Sequence, residues 1–462
     1  MLLNRRTLKA FLTLAKQTLN LKPRDSGPVV TFSELGDAFT ISATHDGAWL
    51  EYREVGEFDF TLCSLPWLAL SELVDSGADD LTLTMEREQN CVSWTENGTP
   101  VEQCYPDGPS KECPTFPAVD RWTAHGERLF PALWEACQTA DVNSTRYALG
   151  CLCLRGGKQD LVATDSRQLL IQHGFDWPWD EEVLIPTSRC FRSATLRKGA
   201  ESGPVEVGKT DEQVVFRFGS WRVALPIETE ARYPDIDAIV PAHSDIKTTL
   251  TIDDTDRRWL ADRLPRSSQQ KKQIAAVELN GAVAIRCAER EKSPTQEWIL
   301  SNSTRQGPES HFQTDVTYLA RLPDLGLSRI DICDHLLFVA RDSSQTYLWR
   351  GLSGDPSPRP EEIERVASPR RRGEAVSALS TSNRKQNVMP KPASQSKTSA
   401  ESASEIDTVE QLIERATTIK SNLKDLQSEV QDLITALRGQ KKQAKIVRNT
   451  IDSLQKLNTL QA

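Results

Sequence analysis

Apolar positions along this chain follow one period, change to another, and then begin again. Leu8, Phe11, Leu12, Ala15 and Leu19 recur at helical spacing over residues 6–20 and predict an amphipathic helix. Strand-like runs follow at 28–32, 38–44 and 48–54, and 60–65 leads into a helix PWLALSELV, where Pro66 suits a first helical turn. Residues 80–85 and 91–95 predict a hairpin.

The same order returns from residue 127. ERLFPALWEACQTAD predicts a second amphipathic helix, and 147–154 and 160–172 predict strands on either side of Gly156 and Gly157, glycines that let the chain turn with positive φ. Residues 183–185 lead through Pro186 to a helix TSRCFRSATLR, and 205–207, 213–218 and 221–225 form a meander with turns at Gly208 and Gly219. Ala43-Thr44 and Ala163-Thr164 lie 120 residues apart, as do Pro66 and Pro186. Two landmarks at one offset indicate a repeat of domain size.

A looser third copy follows. Asp253 or Asp254 caps a helix TDRRWLADRL that Pro265 ends. Strands are expected at 274–279, 283–287 and 297–301, a helix VTYLARL opened by Asp315, and strands at 329–333, 336–341 and 345–350. Each copy reads helix, strands, helix, strands. The predicted class is α+β, with three similar domains at 1–118, 119–243 and 244–352.

After residue 352 the pattern stops. Residues 353–404 are rich in Pro, Ser and basic side chains without aromatics, which predicts a disordered linker. Over 405–462 Val409, Leu412, Ala416, Ile419, Leu423, Leu426, Val430, Leu433, Leu437, Gln440, Ala444, Val447, Ile451 and Leu454 alternate steps of three and four, a coiled-coil seam weakened at Gly439-Gln440. A partner for that seam, self or other, is expected.

Charge adds one distinction. Residues 353–462 hold 18 basic and 14 acidic side chains, which leaves a net charge of about −13 on residues 1–352. So acidic a body is not coated in nucleic acid from outside, and any DNA-facing surface is local. Basic residues do recur on corresponding helices: Arg5, Lys9 and Lys16 on the first, Arg128 at the start of the third, Arg192 and Arg197 on the fourth, and Arg257, Arg258 and Arg263 on or beside the fifth. A shared basic surface of this kind attracts phosphates without reading bases. The helix PWLALSELV carries no Lys or Arg.

Catalytic signatures are missing from the sequence. There is no phosphate-binding Walker loop, HExxH, GxSxG or Gly-rich dinucleotide fingerprint, and the six His are scattered. The expectation is no enzyme, no cofactor and no metal. No run approaches the roughly 18 apolar residues of a membrane helix, so no membrane partner is expected. The ten Cys show no CxxC pair, which points to reduced structural cysteines.

STRYALGCLCL, LVATDSRQLL, VLIP and RYPDIDAIVP, in this order and spacing, resemble the bacterial sliding clamp family, the DNA polymerase III beta subunits. The resemblance spans roughly residues 1–352 and is strongest in the second copy. It implies a homodimeric ring, three similar domains per subunit, with helices inside and sheets outside, that encircles double-stranded DNA irrespective of sequence. It also implies a cytoplasmic, nucleoid-associated processivity factor in DNA replication or repair. Between domains two and three it implies a hydrophobic pocket for short peptide motifs of polymerases and the clamp loader. Residue by residue, it places Leu149, Thr164, Ser166, Arg167, Leu169 and Pro241 there. Ser166, Arg167 and Gln168 stand where the family usually has Gly, His and Arg, and the last strand reads YLWRGL rather than a Met-Pro-Met-like end. The alternative is a diverged paralogue acting as a non-ring scaffold or a competitor for clamp partners.

Overall fold

The computed structural model describes residues 2–22, 25–56, 63–75, 80–86, 89–96, 99–106, 114–144, 148–264, 274–288, 295–352 and 363–370. Residues 1–375 form one compact unit. The coiled-coil seam expected over 405–462 lies outside the described residues.

The first set of elements is β1 (Leu2–Asn4), α1 (Arg5–Thr18), β2 (Val29–Leu35), β3 (Ala38–His45), β4 (Ala48–Val55), β5 (Cys63–Pro66), α2 (Trp67–Asp75), β6 (Asp80–Glu86), β7 (Gln89–Glu96) and β8 (Thr99–Pro106). The second is β9 (Trp122–His125), α3 (Leu129–Thr139), β10 (Cys151–Arg155), β11 (Asp160–Thr164), β12 (Gln168–His173), β13 (Glu182–Pro186), α4 (Ala194–Glu201), β14 (Val205–Lys209), β15 (Gln213–Phe218) and β16 (Trp221–Pro226). The third is β17 (Ile246–Thr251), α5 (Asp254–Ala261), β18 (Ile274–Glu278), β19 (Val283–Ala288), β20 (Thr295–Leu300), β21 (Thr304–Gln306), β22 (His311–Asp315), α6 (Val316–Asp324), β23 (Arg329–Cys333), β24 (Leu337–Arg341) and β25 (Gln345–Arg350). A last strand, β26 (Ile363–Ala367), follows.

Setting β21 aside, each set runs strand, helix, four strands, helix, three strands. The opening strand of each was missed in the sequence, because three to six residues before a helix give too short a window for a period to register. Register shows the repeat directly. Ala43 pairs with Leu50 and Ala163 with Leu170, an offset of 120. Val29 pairs with Pro66 and Cys151 with Pro186, so the offset slips by two in the second strand of the set.

The strands build four sheets among the described residues, two of which run from one set into the next. The eight-stranded sheet, β5-β2-β3-β4-β16-β15-β14-β9, joins strand four of the first set (counting strands alone would make it the fourth) to the last strand of the second. The nine-stranded sheet, β13-β10-β11-β12-β25-β24-β23-β17-β21, repeats that joint between the second and third sets. Both joints are antiparallel. The remaining sheets are β1-β6-β7-β8 and β22-β18-β19-β20-β26.

Helices cover one face of these sheets. Asn4, Ser193, Asp253 and Asp315 cap α1, α4, α5 and α6 by accepting backbone N–H groups, as short polar side chains do at an Ncap. On α1 the face of Leu8, Phe11, Leu12 and Ala15 is buried while Lys9 and Lys16 stay exposed. α1 packs on α2 and on the tight turn Arg189–Arg192 beside α4; α3 packs on that same turn, and α5 on α6. One core joins the first two sets, and a second, centred on Trp298, Phe338, Tyr347 and Trp349, fills the third.

Several expectations are corrected. The run 160–172 is two strands, because Asp165 turns the chain after β11. The helix expected over 187–197 is a 3-10 turn at Arg189–Arg192 followed by α4, since Ser193 caps a new helix. Pro66 ends β5 rather than opening α2. Gly156 and Gly157 do not take positive φ; the left-handed residue of that turn is Gln159, with φ 55°. Gly156 is required instead by close approach, because a Cβ there would collide with the Trp179 carbonyl. Cys91 and Cys104 face each other on β7 and β8 and are disulfide-bonded, so not all cysteines are reduced. Finally, the segment expected to be a disordered linker from 353 contains β26, ordered by an open sheet edge that its composition does not announce.

Candidate functional site

The basic residues singled out in the sequence divide into two groups. Lys9 and Lys16 of α1, Arg192 at the end of the 3-10 turn, Arg197 of α4 and Arg258 of α5 are exposed on the helical side. Arg192 lies 5.9 Å from the Trp134 ring of α3. The others are engaged by neighbouring groups, Arg5 and Arg257 half-buried and Arg128 and Arg263 exposed. Arg5 donates through Nε to the Val74 carbonyl at the end of α2 (2.7 Å). Arg128 donates to the carbonyls of His173 (2.7 Å) and Ser344 (2.8 Å) and stacks 5.1 Å from the Phe175 ring. Arg257 pairs with Asp254 (3.0 Å), and Arg263, just beyond α5, stacks 4.0 Å from the Trp259 ring.

Cations engaged in this way still contribute to the local potential, but they are held by packing rather than free to follow a phosphate.

The second candidate site lies at the β12–β25 joint. β12 alternates, so Leu170 faces the core with Tyr347 and Trp349, while Leu169 and Ile171 face the opposite side with Leu348. The connector after β16 crosses that opposite face. Ile236 packs there with Cys151, Cys153 and Val162, and Tyr233 and Val240 lie beside it. Asp237 anchors the connector by ion pairs to Arg155 (3.0 Å) and to Lys158. Arg155 is itself buried against Asp160 (2.6 Å).

Between connector and sheet a cavity of about 600 Å³ remains open. Leu149, Thr164, Ser166, Arg167 and Leu169 line it, five of the six residues implied by the resemblance. Pro241 does not line it. The connector reaches the cavity through Pro234, Ile236 and Ile239 instead, and the third set contributes Asp334, His335, Leu337, Leu348 and Arg350. Ile239 is 47% exposed, an apolar side chain left in water at the rim.

Backbone geometry fixes that rim from two sides. In the β11–β12 turn Asp165 Oδ1 accepts from the amides of Arg167 (2.8 Å) and Gln168 (2.8 Å), and Thr164 Oγ1 donates to the Gln168 carbonyl (2.7 Å). Burial pushes the Asp165 carboxyl up, against those bonds. Ser166 is left with φ 74°, the left-handed region where glycine is relaxed. Across the cavity His335 (φ 59°) and Leu336 (φ 57°) are left-handed in succession, a costly conformation for leucine.

Gln168 has become part of the joint. Its amide donates to Asp165 (3.1 Å) and to the Thr139 carbonyl (3.3 Å), and its oxygen accepts from Tyr347 (2.8 Å). Arg321 of α6 spans the same joint on the helical side, donating to Glu135 Oε2 (2.6 Å), the Glu135 carbonyl (3.0 Å) and Thr139 Oγ1 (3.0 Å). Burial pushes the Glu135 carboxyl above its usual value in spite of Arg321.

The connector's contribution was partly legible: in RYPDIDAIVP, Ile236 is a large apolar residue set between Asp235 and Asp237, and Ile239 follows three residues on. Leu348 and Arg350 gave no such signal, because their place depends on pairing strands about 180 residues apart.

No protein-family model matches this chain, and no curated protein matches it. Solved structures do. The DNA polymerase III subunit beta of Pseudomonas aeruginosa superposes with a TM-score of 0.59 at 17% identity over 76% of this chain and 99% of its own. The DNA polymerase III beta chain of Streptococcus pneumoniae gives 0.61 at 18% identity, again over 76% and 99%. The beta subunit of Streptococcus pyogenes DNA polymerase gives 0.62 at 15%, with the same coverage. The fold of the described residues is therefore the fold of these sliding clamps.

Proposed function

We propose that this chain is a clamp-like processivity factor, in which two copies close a ring around duplex DNA and a partner's peptide is tethered in the β12–β25 cavity. The observation that carries this reading is the twice-repeated strand joint, which extends one helical layer and one sheet layer through three sets of elements. The division into domains at 1–118, 119–243 and 244–352 belongs to the proposal.

DNA-facing roles are assigned first to Lys9, Lys16, Arg192, Arg197 and Arg258, whose charges are exposed. Arg5, Arg128, Arg257 and Arg263 support the same face at second hand, through the helices they hold. Contacts of this kind are to phosphate and do not depend on base sequence. Retention is then topological, and strong phosphate affinity is unnecessary. The ring works in the cytoplasm, on the nucleoid.

The cavity suits a short peptide with large apolar side chains, which would meet Leu149, Leu169, Ile236 and Leu348, and with an acidic group that would meet Arg167 and Arg350. Polymerases and a clamp loader are the expected bearers of such peptides, and the seam at 405–462 is assigned to a coiled-coil partner.

The test is retention. Rings crosslinked on nicked circular DNA and passed over a sizing column at high salt are expected to stay with the DNA, and to be lost once the circle is linearised. Equal loss from both forms would overturn the ring. A second reading, a scaffold that does not close, is favoured by one observation: the outer edge of β20 is covered by β26. A chain that stays monomeric at all concentrations after removal of residues 353–462 would support it.

A further inference from the structure

The two joints inside the chain obey one rule. Strand four of a set, β4 or β12, takes the last strand of the next set, β16 or β25, antiparallel on its free edge. Among the described residues the rule leaves two members without a counterpart of that kind. One is β20, the equivalent strand of the third set; the other is β8, the last strand of the first, which has β7 as its neighbour in the sheet order. A second copy's β8 therefore fits β20. That edge is not free: β26 pairs with it in parallel, from Thr295 with Ile363 to Ile299 with Ala367.

How β26 is held matters. Its own side chains are half-buried or exposed, and Val366 packs against the core of the third set. Arg365 reaches Glu297 (2.6 Å), and Gln296 donates to Glu364 (3.1 Å). The firm attachment comes just afterwards, at Ser368, which is buried. Its amide donates to the Ile299 carbonyl (2.9 Å), its carbonyl accepts from Ser301 Oγ (2.9 Å), and its hydroxyl donates to Asp256 (2.5 Å) and accepts from the Ser301 amide (2.8 Å).

Asp256 is a fully buried carboxylate on α5 that also accepts from the Asn302 amide (2.9 Å), Asn302 Nδ2 (2.8 Å) and Ser303 Oγ (2.6 Å). Asn302 Nδ2 also donates to the Pro369 carbonyl (2.9 Å), so the attachment is one latch, at Ser368–Pro369, at the end of a short parallel strand. Parallel pairing is the weaker kind per residue.

We propose that residues 363–370 are a removable strap that occupies the docking edge for a second copy of this chain. β8 of the incoming copy adds to β20 only when the strap has peeled away. The inference rests on the two-copy ring proposed above. Because the strap is tethered to the same chain, it competes at an effective concentration on the order of millimolar. Assembly is therefore suppressed at low protein concentration until something draws the segment after residue 352 off the sheet.

The test uses the full chain with a photocrosslinking amino acid at Gln103 of β8, in a mixture of isotopically light and heavy copies, so that crosslinks between copies are read by mass. Val366→Pro removes a strand amide, and Ser368→Ala removes the latch hydroxyl without touching β20. Crosslinks from residue 103 to 295–300 of the other copy are expected to reach half-maximum at a protein concentration at least about tenfold lower in Val366→Pro than in the parent, with Ser368→Ala between them. Equal half-maxima in all three proteins would overturn the strap and leave the ring. No crosslink to 295–300 in any of them would overturn both. If Val366→Pro fails to fold, the comparison of Ser368→Ala with the parent decides alone.

Discussion

The joint between the first and second sets and the joint between the second and third are the same construction with different outer faces. The repeat offset sets Trp49 in the place of Leu169, and the registers set Ala224 in the place of Leu348. At the first joint the outer face is filled. Phe116, from the connector before β9, packs edge-on against Trp49 (centroids 5.9 Å apart), and the Arg222 guanidinium lies 4.7 Å from the Phe116 ring. Arg222 is paired through Nε with Glu51 (2.6 Å), which is 3% exposed.

At the second joint Leu169 is smaller than Trp49, although Leu348 is larger than Ala224, and the connector bridges the face without filling it. The lesson is that the outer face of one joint carries packed aromatic and charged groups and that of the other a cavity. The strand pairing alone decides neither outcome.

The largest effect that would break this comparison is loss of the buried pair. Glu51→Ala leaves Arg222 largely buried without its carboxylate and is expected to cost about 3–5 kcal/mol in urea unfolding, since an uncompensated buried charge remains. A cost below about 1 kcal/mol would mean that packing of Phe116, and not the pair, seals the first joint.

Next in size is the reverse exchange. Leu169→Trp copies the first joint into the second and is expected to weaken binding of a labelled peptide bearing two large apolar residues and one acid by at least about tenfold, roughly 1.4 kcal/mol. Fluorescence anisotropy measures it. Unfolding should change little, because the new ring enters existing space. Unaltered peptide affinity would show that the cavity is not where the peptide sits.

Smaller again is the relief of strain at the rim. Ser166→Gly restores the residue that a φ of 74° favours and is expected to stabilise the protein by about 1 kcal/mol, read from the thermal midpoint. No gain would mean that the Asp165 turn already compensates the left-handed serine.

The smallest effect is a pH dependence at the first joint. Burial pushes the Glu51 carboxyl above the usual glutamate value of 4.5, more than Arg222 pulls it down. The folded state then holds the proton more tightly than the unfolded chain. Its contribution is fully present below the unfolded pKa and is lost as pH rises through the folded one. The stability of the parent relative to Glu51→Gln should therefore decline as pH rises through the window just above 4.5. A difference that is flat, or that grows with pH, would reverse the assignment.

Much of the architecture was legible in the sequence because it is carried by local signals. The helical spacing of Leu8, Phe11, Leu12 and Ala15, the capping positions of Asp253 and Asp315, and the offset of 120 between Ala43 and Ala163 each involve short stretches or their repetition. Five residues of the cavity lining stand in the stretches around Leu149 and Thr164–Leu169 that carry the family resemblance. Pro241 lies outside the lining, because a proline near the end of a connector says where the loop stops and not which side chains it turns inward.

What the sequence determined by itself is therefore most of the longer elements, their threefold recurrence and the positions able to face a core. What only the tertiary structure decided is the pairing at the edges: β12 with β25, Arg128 and Arg321 reaching across a joint, and β26 on β20. Edge strands carry unpaired N–H and C=O groups that accept any strand of suitable geometry. Their partner is fixed by which edge is left open in three dimensions, information that no local pattern holds.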